Sequence, residues 1–316
     1  MFIFIAIALI LESIITSLTS IVPHKKYKFP KIQETEMDNR FKEAYNHIPK
    51  ESMSKLTKMQ MKIMSPFLFG WLLFGLLGLF SEVSNPNLRI LIVGCVLLGV
   101  ILIPSLIALY RYIKYKKSYV EIYKNNIIKK FVEHITPNLY YHPQGGENLF
   151  NYYLDAKFED EKFNNFVADD YIKGFDENNI SVEMCNISLE NVNSKGKFLN
   201  MIYEGIFSVT KLNYFLPNEI RIKKNSLILK NNNNKVEMDS AEFEKYFDVY
   251  SDSDILAMEI LTHDIMEDLV YFYNKYKIDF EIVIKGNSIY IRFNTGVMFE
   301  PNILSQEFTS TLWVYY

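Results

Sequence analysis

The chain has 316 residues, of which 49% are hydrophobic and 22% are charged. This composition excludes a disordered or fibrous protein, and the length allows one membrane module together with one soluble domain. The two cysteines, Cys95 and Cys185, show no CxxC or Cys/His spacing, which excludes a disulfide framework and favours a reducing compartment.

The net charge of −3 conceals two parts of opposite sign. Residues 1–117 hold fifteen Lys and Arg against seven Asp and Glu, whereas residues 118–316 hold nineteen against thirty. An acidic soluble part lacks the excess of basic residues that binds a polyanion, because nucleic-acid affinity comes mainly from neutralised phosphates. DNA and RNA are therefore excluded as expected partners.

The first 22 residues are apolar enough to span a bilayer. They lack a basic start and a small-residue cleavage site, and Glu12 lies near their middle, which argues against a cleaved signal peptide. We expect a membrane helix over residues 1–22, the alternative being a helix that lies on the membrane surface. A basic, partly helical cytosolic linker is expected over residues 23–62.

Two further segments contain no charged residue, from Ile63 to Ser81 and from Ile90 to Tyr110. Each approaches the roughly 20 apolar residues that cross a bilayer, and both are apolar on every face, as lipid-embedded helices are. The short connector SEVSNPNLR between them predicts a transmembrane helical hairpin within residues 63–117. Two core helices of a globular protein are the alternative.

Basic residues flank this hairpin at its two ends. They are Lys55, Lys58 and Lys62 before the first segment and Arg111, Lys114, Lys116 and Lys117 after the second, whereas the connector carries only Arg89. Because positive charge stays on the cytosolic side, we expect a multi-pass protein of the cell membrane with the turn outside. The domain after Lys117 is then cytosolic.

Residues 118–316 are expected to form this cytosolic α+β domain. A helical pattern from Tyr119 to His134 continues the second membrane segment, and alternating apolar residues in ISVEMCNISLE and KFLNMIYEGIFSVTKL predict strands. Gly205 in the second strand predicts a bulge or a close approach by another backbone. SDSDILAMEILTHDIMEDLVYFYNKY predicts a helix, and IDFEIVIKGNSIYIRF predicts two strands joined by a hairpin at Lys285–Asn287. Such runs of strands and helices favour a mainly antiparallel sheet.

Four segments of the chain carry a family resemblance: ADDYIKGF at 168–175, YEGIFSV at 203–209, FEKYFDVYSDSDILAMEILTHDIMEDL at 243–269 and MFEP at 298–301. In this order they resemble the bacterial family of membrane proteins classed as domain of unknown function 3137. The resemblance implies a cytosolic domain after a membrane hairpin, and it supplies no activity, cofactor or catalytic residue. The positions that carry it are Asp170, Gly174, Gly205, Phe207, Phe247, Leu261, Thr262, Phe299, Glu300 and Pro301.

The sequence contains no GxSxG, Walker, dinucleotide, HExxH or EF-hand motif. His134 and His142 fit no standard metal spacing, so we expect surface histidines and no bound metal or cofactor. Asp169 and Asp170 are the candidates for acid/base chemistry. The alternative for this pair, which we favour, is a helix end and turn in which Asp caps backbone donors.

These patterns favour a membrane-anchored cytosolic binding or scaffold domain that binds a protein partner or assembles with itself, rather than an enzyme. The alternative is a membrane-surface enzyme with an unrecognised acidic site around Asp169 and Asp170.

Overall fold

The computed structural model describes residues 43, 49–76, 86–135, 138–158, 162–175, 180–225, 234–297 and 299–300, with the backbone alone at residues 64, 67–76 and 86–102. Two compact units are built mainly from residues 44–131 and 132–299. The predicted helix over residues 1–22, most of the linker and Pro301 lie outside the described residues.

The first unit contains two long helices, α1 (Lys50–Leu76) and α2 (Pro86–Tyr123). α1 includes residues 63–76 of the first predicted membrane segment and α2 includes all of the second, and the two helices pack against each other. A π-helical turn (Lys124–Ile128) and α3 (Lys129–Ile135) then continue the chain as a helix, as predicted from the pattern after Tyr119. Within the described part of the chain, no helix meets the length and apolarity needed to cross a membrane. The transmembrane hairpin therefore stays a prediction.

Arg111 connects the two long helices. Pro66 in α1 has no backbone N–H, so the carbonyl of Lys62 four residues earlier lacks its helical donor. Arg111 Nη1 in α2 donates to that carbonyl and to Ser65 Oγ, both at 2.8 Å. A side chain from α2 thus donates to the α1 carbonyl that Pro66 leaves without its helical hydrogen bond.

The second unit has an α+β fold around a seven-stranded sheet, which confirms the predicted fold class. Every strand pair is antiparallel, the order is β1-β2-β3-β4-β6-β5, and β7 also pairs with β4. The strands are β1 (Leu139–Gln144), β2 (Asn165–Phe175), β3 (Ser181–Val192), β4 (Phe198–Lys224), β5 (Lys235–Val236), β6 (Phe247–Ser251) and β7 (Phe280–Phe293). The helices are α4 (Phe150–Ala156), α5 (Ala241–Glu244), α6 (Asp254–Ile260) and α7 (His263–Tyr276).

Helices cover both faces of this sheet. On one face, Tyr153 of α4 packs with Phe207 of β4, 5.2 Å between ring centroids, in a buried cluster that includes Val283 and Tyr290 of β7. Phe280 and Phe293 of β7 lie three residues from Val283 and Tyr290, respectively, and therefore point to the other face. There Phe272 of α7 packs on Phe280 and Phe293 at 5.5 and 5.8 Å. β7 therefore contributes to the core on both sides.

The helix predicted from the SDSDIL segment onward is interrupted. Ser253 caps α6 through its Oγ, which accepts from the N–H of Leu256 at 3.3 Å, and the helix ends at Ile260. Leu261 has a non-helical ψ of 70°, and Thr262 is extended before α7 begins. The break allows the neighbouring side chains of Ile260 and Leu261 both to be buried.

The hairpin predicted at Lys285–Asn287 is wrong. β7 is one strand, because Ile284 and Ser288 on either side of this segment both pair with β4, opposite Ile220 and Lys211. Gly286, at φ 59°, accommodates a bend within the strand instead of a turn between two strands.

Candidate functional site

A pocket lies where the pairing of β4 with β7 is interrupted. Lys211 and Ile220 are nine residues apart in β4, whereas their partners in β7, Ser288 and Ile284, are only four residues apart. The surplus residues of β4 include Pro217, which cannot donate a ladder hydrogen bond. A cavity of about 530 Å³ adjoins this interruption, a volume typical of small-molecule sites.

The bend of β7 directs two side chains into the same pocket. Lys285 and Tyr290 are five residues apart, a spacing that regular alternation would place on opposite faces of the sheet. Both nevertheless contact Asp155 of α4. The positive φ of Gly286 allows the shift of alternation that brings them to one side.

Two arginines of the sheet, the buried Arg221 and the partly buried Arg292, hold the carbonyl end of α4 beside the pocket. Arg221 Nη2 donates to the carbonyl of Ala156 at 2.9 Å, and Arg292 Nη1 donates to the hydroxyl of Tyr153 at 3.0 Å. Glu281 lies between the two arginines and pairs with each at 2.8 Å. Cations at a helix C-terminus also complement its dipole, so this network fixes the helix that carries the pocket residues.

Both carboxylate oxygens of Asp155 accept hydrogen bonds from other pocket residues. Lys285 Nζ donates to Asp155 Oδ1 at 2.8 Å and to its backbone carbonyl at 3.0 Å, and the Tyr290 hydroxyl donates to Oδ2 at 2.6 Å. Hydrogen bonds from Lys285 and then Tyr290 lower the pKa of the Asp155 carboxyl. Burial, reinforced by the bond to Asp155, raises the pKa of Tyr290 to about 12. At neutral pH the aspartate is therefore charged and Tyr290 is a neutral donor.

Lys211 is the cation of the pocket that lacks an acidic partner. Its Nζ donates to Ser288 Oγ at 2.8 Å and lies 4.3 Å from the ring centroid of Tyr152. Burial lowers the pKa of the Lys211 ammonium, an effect that the more distant charges of Asp155 and Glu183 oppose. Among the described residues, Lys211 forms no ion pair.

Asp169 and Asp170 lie elsewhere, in β2, and not at the helix end and turn that we favoured. Two residues of β2, Asp170 and Tyr171, face one residue of β3, so the strand bulges and Asp170 takes a φ of 51°. Asp170 is 0% exposed and accepts a hydrogen bond from the Tyr141 hydroxyl, whereas Asp169 accepts from Asn186 Nδ2 at 3.1 Å. A substrate would not reach the Asp170 carboxylate in this arrangement.

Two of the family-like glycines mark close approaches between backbones. A Cβ at Gly174 would lie 1.9 Å from the carbonyl oxygen of Asn138, and one at Gly205 would lie 2.1 Å from that of Phe293. The close approach predicted at Gly205 is therefore confirmed. Neither glycine lines the pocket.

The other described family-like positions are distributed over the fold. Phe207 and Phe247 are core residues, Leu261 and Thr262 form the break between α6 and α7, and Phe299 packs edge-on against Tyr141 at 5.7 Å. Glu300 pairs with Lys124 of the π-helical turn at 2.7 Å. His134 and His142 are both exposed, as predicted. None of these described positions lines the pocket.

The pocket was missed by the sequence patterns because its residues come from three distant segments, 151–155, 211–219 and 285–290. Two signals could have indicated it. Pro217 within a strand pattern marks an interruption of the ladder, and Gly286 marks a bend. Neither signal shows that the two irregularities face each other.

The fold and pocket together define an α+β domain with a ligand-sized cavity, preceded in sequence by two long helices. Residues 201–312 match the family model described as "Protein of unknown function (DUF3137)". The resemblance predicted from the sequence is confirmed there, and the matched range begins after Asp170 and Gly174.

None of the curated proteins compared with the chain matches it. Among solved structures, the crystal structure of the mycobacterial trehalose monomycolate transport factor A, TtfA, is similar with a TM-score of 0.33 and 8% identity. The similarity covers 56% of this chain and 79% of that chain. At this TM-score it carries no inference about fold or function.

Proposed function

We propose that this chain is a membrane-anchored binding protein whose C-terminal domain holds a small ligand in the pocket between β4, β7 and α4. The observation that carries the proposal is a cavity of about 530 Å³ whose polar walls are already joined by ion pairs and hydrogen bonds. A preorganised site binds with less loss of side-chain entropy than a site that must be ordered by its ligand.

The anchoring part of the proposal is supported by sequence. The uncharged segments Ile63–Ser81 and Ile90–Tyr110 coincide largely with α1 and α2, and basic residues flank both. In this topology the turn lies outside the cell membrane, the domain is cytosolic, and residues 1–22 add a third span.

A protein partner or a second copy of the chain is part of the same proposal. Phe215 lies at the pocket and is 69% exposed, which makes it a suitable aromatic contact for another chain. The alternative of an enzyme acting through Asp169 and Asp170 draws less support, because the carboxylate of Asp170 is buried.

Extraction of cell membranes at alkaline pH tests the anchor. The full chain is expected to stay in the membrane pellet after carbonate treatment and to be released by detergent. A single cysteine introduced in the turn, Ser84→Cys, should react with an impermeant maleimide in intact cells, whereas Lys195→Cys in the β3–β4 turn should react only after lysis. Release by carbonate, or the opposite labelling pattern, would contradict the topology.

Site-specific photocrosslinking in intact cells tests the binding function. A photoreactive phenylalanine analogue replaces Phe215 at the pocket or, as a control, Ile255 on α6, which is 73% exposed and does not line the pocket. We expect a reproducible adduct of defined mass from position 215 and none from position 255. Its size separates a small ligand from a partner chain. No adduct at 215, or the same adducts at both positions, would contradict binding at the pocket.

A further inference from the structure

We propose that the pocket selects an organic anion, a ligand with one carboxylate or phosphate group that pairs with Lys211 and an apolar body that packs beside it. This inference rests on the proposed function, because it specifies the ligand of the same pocket. The placement of charges around the cavity assigns this role to Lys211.

The charges that line the pocket cancel in pairs except at Lys211. Lys285 pairs with Asp155 at 2.8 Å. Glu219 pairs with Arg221 at 2.8 Å, and Arg221 and Arg292 both pair with Glu281, so the charges of these four residues cancel. Lys211 contacts only the neutral Ser288 hydroxyl and the ring of Tyr152 among the described residues. One positive charge is thus left for a ligand to balance.

The surroundings of Lys211 make an anionic ligand favourable. Its ammonium is partly removed from water, a cost that a neutral hydroxyl and an aromatic face repay only in part. A carboxylate or phosphate would add a charge-assisted hydrogen bond, which is roughly twice as strong as a neutral one. The buried Ser288 hydroxyl accepts from Lys211 and donates to Asn287 Oδ1 at 3.3 Å, which holds the ammonium at the pocket.

An apolar wall lies on the adjoining side of the cavity. It consists of the ring of Tyr152 and the surplus segment of β4 with Phe215, Leu216 and Pro217. Aromatic and aliphatic surface beside a single cation suits an amphipathic ligand better than a bare inorganic ion.

The same residues disfavour a ligand with several negative charges. Asp155 and Glu219 both line the cavity, so a second anionic group would face carboxylates that already have their partners. Like charges at such distances repel. The pocket therefore suits a ligand with one anionic head group.

Calorimetric titration of the purified full chain in detergent at low ionic strength tests this selectivity with four probes. Phenylacetate and phenyl phosphate carry the anion and an apolar ring, phenylacetamide keeps the ring without the charge, and inorganic phosphate keeps the charge without the ring. We expect phenylacetate or phenyl phosphate to bind at least tenfold more tightly than phenylacetamide and inorganic phosphate. Whichever organic anion binds more tightly identifies the head group.

Three variants connect the selectivity to one side chain. Lys211→Met should weaken binding of the preferred anion about tenfold or more, Lys211→Arg should retain most of it, and Lys195→Met, in an exposed turn away from the pocket, should leave it unchanged. Circular dichroism of each variant establishes that it is folded; Lys211→Gln replaces Lys211→Met if the latter is not.

The outcomes separate this inference from the proposed function. Equal affinity for phenylacetate and phenylacetamide, or binding unaffected by Lys211→Met, would overturn anion selection while leaving a ligand pocket. No binding of either organic anion would also overturn it. The proposed function itself is contradicted by a separate result, the absence of a crosslinked adduct at position 215 in cells or the same adducts at positions 215 and 255.

Discussion

Gly205 is required by the strand that lies beside it. Alanine at this position would place its Cβ 2.1 Å from the carbonyl oxygen of Phe293, so β4 and β7 would have to separate. We expect Gly205→Ala to lower the free energy of unfolding by about 3 kcal/mol, measured by chemical denaturation of the full chain. Gly196→Ala, with open space around it and only a positive φ of 71° to strain, should cost about 1 kcal/mol. Equal losses would contradict this explanation.

Asp155 gives the domain a pH-dependent contribution to stability. Hydrogen bonds from Lys285 and Tyr290 lower its pKa in the folded state below the value of about 4 expected when unfolded. The contribution is therefore complete above about pH 4 and is lost as the pH falls through the lowered folded-state pKa. Asp155→Asn should reduce stability at pH 7 by less than about 1 kcal/mol, because the side chain is half exposed. The difference from the unmodified chain should shrink as the pH falls below about 4, as followed by thermal unfolding.

Single residues were predictable where the constraint is local. A glycine inside an alternating strand pattern signals a close approach, and the structure identifies Phe293 as the partner of Gly205. Asp170 illustrates the opposite case. Its bulge depends on the register between β2 and β3, and register is set by partners that are distant in sequence. The pair Asp169–Asp170 was therefore assigned to a turn although it lies within a strand.

At the scale of elements, the contact between α1 and α2 depends on a carbonyl that Pro66 leaves without a donor. Arg111→Ala removes the closer of two replacement donors, the other being the Ser65 hydroxyl at 3.3 Å, whereas Pro66→Ala restores the helical donor. We therefore expect Arg111→Ala to destabilise the helix pair by about 1 kcal/mol when Pro66 is present and by much less in the Pro66→Ala background. Detergent titration with SDS, followed by circular dichroism, measures this coupling. Additive effects of the two changes would show that the carbonyl of Lys62 is not the link.

Elements were predictable where apolar periodicity is long and uninterrupted. The described residues of the two apolar segments are helical and the long β3 and β4 patterns form strands, since their signals extend over many residues. The turn predicted at Gly286 failed because the same positive φ serves a hairpin or a bend. Which one forms depends on whether the flanking residues pair with each other or with a third strand, here β4. The pocket lies at this bend, so it could not be predicted from the sequence for the same reason.

At the scale of the whole molecule, the pocket of the α+β domain is the basis of the proposed binding function, and the uncharged sequence segments are the basis of the proposed membrane attachment. The central claim is that the pocket is occupied in the cell. Asn287 lines the cavity and is exposed, so Asn287→Trp should fill the pocket with an indole without disturbing the core.

Native mass spectrometry of the full chain, released gently from cell membranes, tests this claim most directly. The account predicts a species heavier than the 37.2 kDa chain by the mass of one small organic molecule, and loss of that species in Asn287→Trp. A mass equal to that of the bare chain in both proteins, or an adduct that persists unchanged in Asn287→Trp, would contradict it.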